Sequence, residues 1–313
     1  MRETYEIRLF AEYLSLISPP ITIPKDVSPL VAILRGTVDD QQFQRVGKLD
    51  ERLRKFKKGM AFGSWEIRRS YSKEELARAQ LFLLDVRFRH LAAEEYDTLY
   101  EEFEQCQHEL DSLEYVGGME FQIVRQKTPC SIRARQIGTL RFPYRKLGSA
   151  REIFRFWGGE LVVSDRFVDL VQQHKFTGAT FSPTCDTAKP DRSARRRKEF
   201  AQLRIESKPL SVTEGTRFGA TPFDAQRTGY QHCEGGTIAG QKPISEVSIL
   251  GSSWDGSDFC QTEIYVGGRG GLFRPHRLLI VSKRVIDALE SRRLKGFRYE
   301  IVGINEAQAA ASP

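Results

Sequence analysis

Residues 161–181 read LVVSDRFVDLVQQHKFTGATF, and residues 279–299 read LIVSKRVIDALESRRLKGFRY. The two stretches align without a gap. Ser164 matches Ser282, Arg166 matches Arg284, Asp169 matches Asp287 and Gly178 matches Gly296. Each copy begins with a short run of Leu, Ile and Val, the composition of a buried strand. A serine follows, a favoured N-cap because its oxygen can accept a hydrogen bond from an otherwise unpaired helical amide. Apolar residues then recur at helical spacing: Phe167, Val168, Leu170 and Val171 in one copy, Val285, Ile286, Ala288 and Leu289 in the other. The glycine suits the turn out of the helix, and a second strand comes next, ATFSP at 179–183 or FRYEIV at 297–302. Upstream, GSAREIF at 148–154 resembles GSDFCQTEIY at 256–265, both closing on Glu-Ile-aromatic.

An amphipathic helix of about three turns cannot bury its apolar face alone, so each copy needs a sheet to pack on. The expected fold class is α+β, with two similar halves. Each half is a small, mostly antiparallel sheet with a strand–helix–strand unit packed on it. The first half is expected at 72–188 and the second at 204–302. A basic linker at 189–203 joins them, and residues 303–313 are expected to be a disordered tail. No fold is assigned to 1–71.

Other local signals are weaker. SKEE at 72–75 is a capping box, with Ser72 as cap and Glu75 three residues on. QLFLLDVRF at 80–88 reads as a strand. Residues 94–110 read as an acidic helix with Leu99, Phe103 and Cys106 on one face, and 113–127 as a hairpin closed by Gly117-Gly118. QQFQRVGKLDERLRKFKK at 41–58 fits one or two basic helices, whereas SPPITIPKDVSP at 18–29 is too rich in proline for either element.

The chain has 313 residues, 40% of them hydrophobic and 28% charged, enough for two modest cores. No run approaches the roughly 18 apolar residues of a membrane helix. The first residues, MRETYEIRLFAEYLSLISPPITIP, lack the features of a signal peptide, so a cytoplasmic location without membrane contact is expected. The five cysteines are odd in number and widely spaced, which reads as reduced thiols. The net charge is +7, and much of the excess lies in DRSARRRKEFAQLRIESK at 191–208, a solvated linker or a binding surface.

Candidate chemistry is sparse. Ser164 and Ser282 have no histidine at a matching place in both copies, so capping accounts for them better than nucleophilic catalysis does. Cys106 with His108, and His232 with Cys233, could together supply four zinc ligands, but their spacing departs from paired C-x2-C knuckles. The expectation is no cofactor, with a structural zinc as the alternative. Asp255 and Asp258 in WDGSD are turn formers before they are cation ligands. GGRGG at 267–271 lacks the order of a phosphate-binding loop and reads as a turn.

The pattern LVVSDRFVDLVQQHKFTGATFSP resembles a module of bacterial immunity proteins from polymorphic and contact-dependent toxin systems. It is especially similar to the myxobacterial double-CxxCG-motif proteins. EEYDTLYEEFEQCQHEL, GYQHCEGG, WDGSDFCQTEIYVGGRGGLFRP and LLIVSKRVIDALESRRLKGFRYEIV fit the same style, so the resemblance spans about 72–302. Both CxxCG elements are missing, and only Cys106 stands where a pair would begin. The resemblance implies a non-enzymatic protein that binds and neutralises a cognate toxin. Tyr230, Trp254, Asp255, Asp258, Arg269 and Arg274 are the candidate contact residues. Two other classes remain open: a nucleic-acid-binding protein using 191–208 and the basic run at 274–277, and an enzyme with a divergent site around Asp255, Asp258, His232 and Cys233.

Overall fold

The computed structural model describes residues 1–10, 13, 31–37, 39–55, 62–89, 91, 97–98, 100–117, 120–148, 150–188, 199–219, 221–223, 237–239, 242–267 and 274–306, with 31, 54, 62–63, 100–135 and 237–239 as backbone only. The chain divides into two compact units. One comprises Met1–Ala77, Gln107–Thr128 and Gly219–Gly229; the other comprises Arg78–Cys106, Pro129–Phe218 and Tyr230–Pro313.

In the first unit, β1 (Arg2–Phe10) lies between β2 (Val31–Gly36) and β3 (Phe62–Ser70), antiparallel to both. Tyr5, Ile7 and Leu9 alternate onto one buried face, as period-2 patterning requires. The basic stretch at 41–58 forms a single helix, α1 (Gln41–Lys55), capped by Asp40, whose Oδ1 accepts from the Gln42 amide at 2.9 Å. Its buried stripe is Phe43, Val46, Leu49 and Leu53, and Phe43 meets Tyr5 edge-on at 5.7 Å. The capping box forms as read. Ser72 N donates to Glu75 Oε2 at 2.7 Å and Glu75 N donates to Ser72 Oγ at 3.1 Å, opening α2 (Lys73–Arg78). Residues 1–71 thus hold a three-stranded sheet and a helix. The proline-rich stretch at 18–29 lies outside the described residues.

After α2 come β4 (Leu81–Val86) and a long paired ribbon, β5 (Tyr100–Gly117) and β6 (Glu120–Gln136). The acidic helix expected at 94–110 is therefore a strand from Tyr100 onward. Its proposed apolar stripe was thin, and a helix draws most of its stability from packing such a stripe. Pairing with β6 satisfies the same backbone groups across the ribbon. The expected hairpin lies inside this ribbon, with Gly118 outside the described residues.

The second unit continues with β7 (Arg141–Phe142), β8 (Ile153–Arg155), β9 (Leu161–Ser164), α3 (Asp165–His174), β10 (Ala179–Pro183), β11 (Cys185–Asp186) and β12 (Phe200–Ile205). Next come β13 (Phe218–Gly219), β14 (Thr237–Ala239), β15 (Lys242–Pro243), β16 (Ser248–Leu250), β17 (Phe259–Gly267), β18 (His276–Ser282), α4 (Lys283–Ser291) and β19 (Phe297–Asn305). Besides the short pairs β7–β11 and β13–β15, two main sheets form. Their orders are β10-β12-β9-β8 and β14-β17-β18-β4-β19-β16.

Within these sheets, β8-β9-β12-β10 and β17-β18-β4-β19 share one order and one polarity, every neighbouring pair being antiparallel. In each, the strands flanking the helix leave a slot one strand wide. The filling strand comes from elsewhere in the chain: β12 from downstream of its helix, β4 from far upstream. The registers agree. Phe200 lies opposite Ser164 as Leu81 lies opposite Ser282, and Ile153 lies opposite Val163 as Phe259 lies opposite Val281. The division at 188 and 204 therefore needs correction. β4, assigned to the first half, completes the second sheet. β12, assigned to the linker and the second half, completes the first. A strand–helix–strand sequence encodes the slot and not the segment that enters it. The strand read at 297–302 also runs on to Asn305 and pairs with β16 in parallel, so Gly303, Ile304 and Asn305 belong to the sheet and not to the expected tail.

The helices pack as their stripes predict. Phe167, Leu170 and Val171 of α3 and Val285, Ile286, Ala288 and Leu289 of α4 are buried. One core cluster is aromatic, with Phe142, Phe154, Phe156 and Phe200 around Val162; Phe142 and Phe156 meet edge-on at 4.9 Å. The other is aliphatic, built on Leu81, Leu83, Ile249, Cys260, Ile280 and Val302. Among the described residues, no helix is long and apolar enough to cross a membrane.

The helix ends differ from the glycine reading. The left-handed residues are Lys175 and Arg293, both at φ 53°. The Phe176 and Leu294 amides reach back to the Val171 and Leu289 carbonyls at 3.1 and 3.0 Å. Gly178 and Gly296 come later and do another task. Each lies against the backbone of the opposite sheet. A Cβ on Gly178 would lie 2.2 Å from the Phe259 carbonyl oxygen, and one on Gly296 would lie 2.4 Å from that of Ile153. Their φ values are +83° and +121°, which side chains rarely adopt. Strain and backbone overlap combine, so Gly178→Ala and Gly296→Ala are each expected to destabilise the second unit by about 3 kcal/mol or more. Urea denaturation checks this, with Gly256→Ala, whose added Cβ meets nothing within 4 Å, as the comparison.

Candidate functional site

Two polar clusters repeat at the heads of α3 and α4. Glu152, just before β8, is buried, and so is Asp258, just before β17. The Ser164 amide donates to the Glu152 carbonyl at 2.9 Å, and the Ser282 amide donates to the Asp258 carbonyl at 2.9 Å. Ser164 Oγ bonds to Glu152 Oε2, and Ser282 Oγ donates to Asp258 Oδ1 at 2.7 Å. Arg166 Nη1 reaches Glu152 Oε1 at 3.0 Å, and Arg284 Nη1 reaches Asp258 Oδ2 at 3.2 Å. Each cluster is an acid, a serine and an arginine locked together across a strand and a helix start.

The serine hydroxyls therefore donate to carboxylates. Ser164 Oγ also accepts from the Phe167 amide at 3.4 Å, so it caps α3 as read. Ser282 makes no side-chain cap bond. Its hydroxyl is committed to Asp258, a correction to the capping reading at that position. The upstream alignment on Glu-Ile-aromatic is also corrected. The partner of Glu152 is Asp258, five residues before Glu263. The acid lies 12 residues before its serine in the first cluster and 24 before it in the second.

Asp258 additionally ties in the other sheet. Its Oδ2 accepts from the Thr177 amide at 3.1 Å, and the Phe259 amide donates to the Thr177 carbonyl at 3.0 Å. Across the same junction the Glu152 amide donates to the Lys295 carbonyl at 2.7 Å. Asp258 was expected as an exposed contact residue; it is 2% exposed and holds the fold. Asp255 is exposed, and its Oδ1 accepts from the Ser257 amide at 2.9 Å, which makes the WDGSD turn. Trp254 packs on the aliphatic core and donates its indole N–H to the Ser257 carbonyl at 3.0 Å. Tyr230, Arg269, His232 and Cys233 lie outside the described residues, and the side chains of Cys106 and His108 do too. Among the described residues, no three His, Cys, Asp or Glu side chains converge as a ligand set. Cys260 is buried, and burial pushes its thiol up to about 11, while Cys185 is exposed and free.

Arg274, an expected site residue, opens onto a cavity. A cleft of about 310 Å3 runs between the β8–β9 turn and β12 on one side and β17 and β18 on the other. Arg155, Arg204, Arg274 and Arg277 line it, against Glu160 and Glu206. The Arg277 guanidinium lies 4.8 Å over the Tyr265 ring. Arg155 is 4% exposed; burial draws its pKa down to about 10, against the favourable charge of Asp85, so it stays protonated near neutrality. At the end wall, Gln136 and Gln202 exchange amide hydrogen bonds of 3.0 and 2.6 Å. His276 sits under Gly159, where an added Cβ would come within 2.8 Å of the His276 Cβ. Desolvation, then the Arg155 charge, then that of Lys242, hold the His276 imidazole well below its ordinary pKa, so it is neutral near pH 7. Sequence reasoning found Arg274 and its basic run, and Arg204 within the basic stretch at 191–208, but missed Arg155 and Gln136. These two come from separate strands, β8 and β6, and carry no local signature.

In comparisons with known proteins, no family model matches the chain and no curated protein shows significant similarity to it.

Two measurements follow. Asp258→Asn keeps the shape but removes an acceptor from Ser282, Arg284 and Thr177, so a loss of about 2–4 kcal/mol in urea denaturation is expected. For His276, the folded pKa lies below the unfolded value of about 6.5. As pH falls below that value, the unfolded chain takes up a proton that the folded chain refuses, and stability drops. The contribution is complete above about 6.5 and is lost toward the folded value. Midpoint temperatures between pH 7.5 and 5.5 are expected to fall more steeply in the native chain than in His276→Gln.

Proposed function

We propose that the protein is a non-enzymatic binding protein of the immunity type, which neutralises a cognate bacterial toxin by covering it. The carrying observation is the fate of the two serine–acid–arginine clusters. These are the groups most suggestive of catalysis, and both are consumed in holding the helices to the sheets. A hydroxyl that donates to a buried carboxylate beneath a helix start is a fastening, not an exposed nucleophile. The interlocked sheets supply the rigid scaffold that occlusion asks for, and a stable complex needs a complementary patch of roughly 800 Å2 per partner. The partner class comes from the sequence resemblance over 72–302.

The basic run at 274–277 favours nucleic acid as a second reading, because Arg274 and Arg277 share one cleft with the Tyr265 ring. One experiment separates the two. The full chain is co-expressed with a large secreted toxin encoded by a neighbouring gene, and is passed over immobilised DNA at low salt. Protection of the cells together with co-purification at fixed stoichiometry is the expected result. Absence of both overturns the immunity reading, and DNA retention that falls steeply with salt replaces it with the second.

A further inference from the structure

We infer that the cleft between β12 and the β17–β18 hairpin is a binding site for a small organic oxyanion, a phosphate or a carboxylate. The inference stands apart from the toxin reading.

The charge is arranged for such a ligand. Four guanidinium groups line the cleft against two carboxylates. One of those carboxylates, that of Glu206, is at the exposed rim and accepts from Thr180 Oγ1 at 3.0 Å. The neutral His276 adds no charge of either sign near pH 7. The interior excess is therefore positive, in a volume at the lower end of the ~300–1,000 Å3 usual for small-molecule pockets.

The second observation is Arg277. Its Nε is buried and meets no hydrogen-bond acceptor among the described residues. The guanidinium lies 4.8 Å over the Tyr265 ring. A guanidinium carries its N–H donors in a planar fork that engages a carboxylate or phosphate in two parallel bonds. A buried donor without an acceptor is costly, so natural structures pair it with protein, water or ligand. Arg204 is fixed differently, its Nε donating to Ser182 Oγ at 2.8 Å. The Gln136–Gln202 pair braces the wall from which Arg204 projects. Arg155 is held beneath the β8–β9 turn, with Nη1 3.4 Å from the Gly159 carbonyl oxygen. The cleft thus sets Arg277, whose Nε meets no acceptor among the described residues, beside Arg155 and Arg204, which have theirs.

The test is calorimetric titration of the full chain with sodium phosphate and, separately, with sodium citrate, each against sodium chloride of equal ionic strength. Saturable binding of at least one probe is expected. Phosphate binding without citrate assigns a phosphate ligand, and the reverse assigns a carboxylate. Arg277→Gln should weaken the binding about tenfold, the loss of one charge-assisted contact. Arg298→Gln, a residue outside the cleft that pairs with Asp85 at 2.7 Å, should leave it unchanged. Circular dichroism establishes that each variant is folded; if Arg277→Gln is not, the half-buried Arg274 carries the same test as Arg274→Gln. No binding above the chloride control overturns the inference, as does binding that Arg277→Gln and Arg274→Gln leave intact.

Discussion

A carboxylate buried at the head of a strand is the constraint on which the second unit depends. Taking a charge from water is expensive unless hydrogen bonds and an opposite charge replace the lost hydration. Asp258 meets that demand from three directions: the Ser282 hydroxyl, the Arg284 guanidinium and the Thr177 amide. Those groups belong to a helix start and to a turn in the other sheet. The acid can be satisfied only when strand, helix and opposite sheet are together. The Glu152 carboxylate is met by Ser164 and Arg166, while its backbone amide donates to the Lys295 carbonyl of the other sheet. An apolar contact tolerates sliding, whereas these clusters specify which helix sits over which strand and at what register.

The crossed supply of strands makes the requirement global. β4 pairs with β18 and β19, which lie about two hundred residues further along the chain. The second sheet is not complete until this distant segment has entered its slot. Closing such long loops is entropically slow, and nothing local repays it beforehand. Backbone bonds tie the two sheets a second time. Just beyond β4, the Arg155 amide of β8 donates to the Arg87 carbonyl and the Arg89 amide donates to the Arg155 carbonyl, at 3.2 and 2.9 Å. These bonds belong to one cooperative unit, not to two that could be separated.

What the sequence disclosed was local in origin. The helices over 165–174 and 283–291 were legible because their stripes, serines and following strands fall within one short window. The capping box at Ser72 was legible for the same reason. The inserted strands were not, since LFLLDV and FAQLRI say that they are buried strands but not beside which neighbours. The helix expected at 94–110 failed because a few apolar residues at helical spacing also suit a ribbon whose partner lies after the turn. Asp258 was misplaced on the surface. Turn chemistry explains Asp255, and only the fold shows that the next acid in WDGSD points inward. Gly178 and Gly296 were recognised as special for the wrong reason: Lys175 and Arg293 end the helices, and the glycines allow backbone to approach backbone.

The matching parts of the two sheets account for the architecture, so what distinguishes the binding surface should lie where they differ. The largest difference is the hairpin between the acid and its serine. In the first sheet, β8 is three residues long and turns back at once; in the second, β17 runs for nine. The additional length carries Tyr265, Arg274 and Arg277, none of which has a counterpart in the short hairpin. It projects them beside β12, the strand that has left its own neighbours to fill the first slot. The basic cleft is thus made by the asymmetry, an extended hairpin laid against an inserted strand. The repeated clusters hold the walls still, and the unrepeated residues between them are free to be chosen for what they bind.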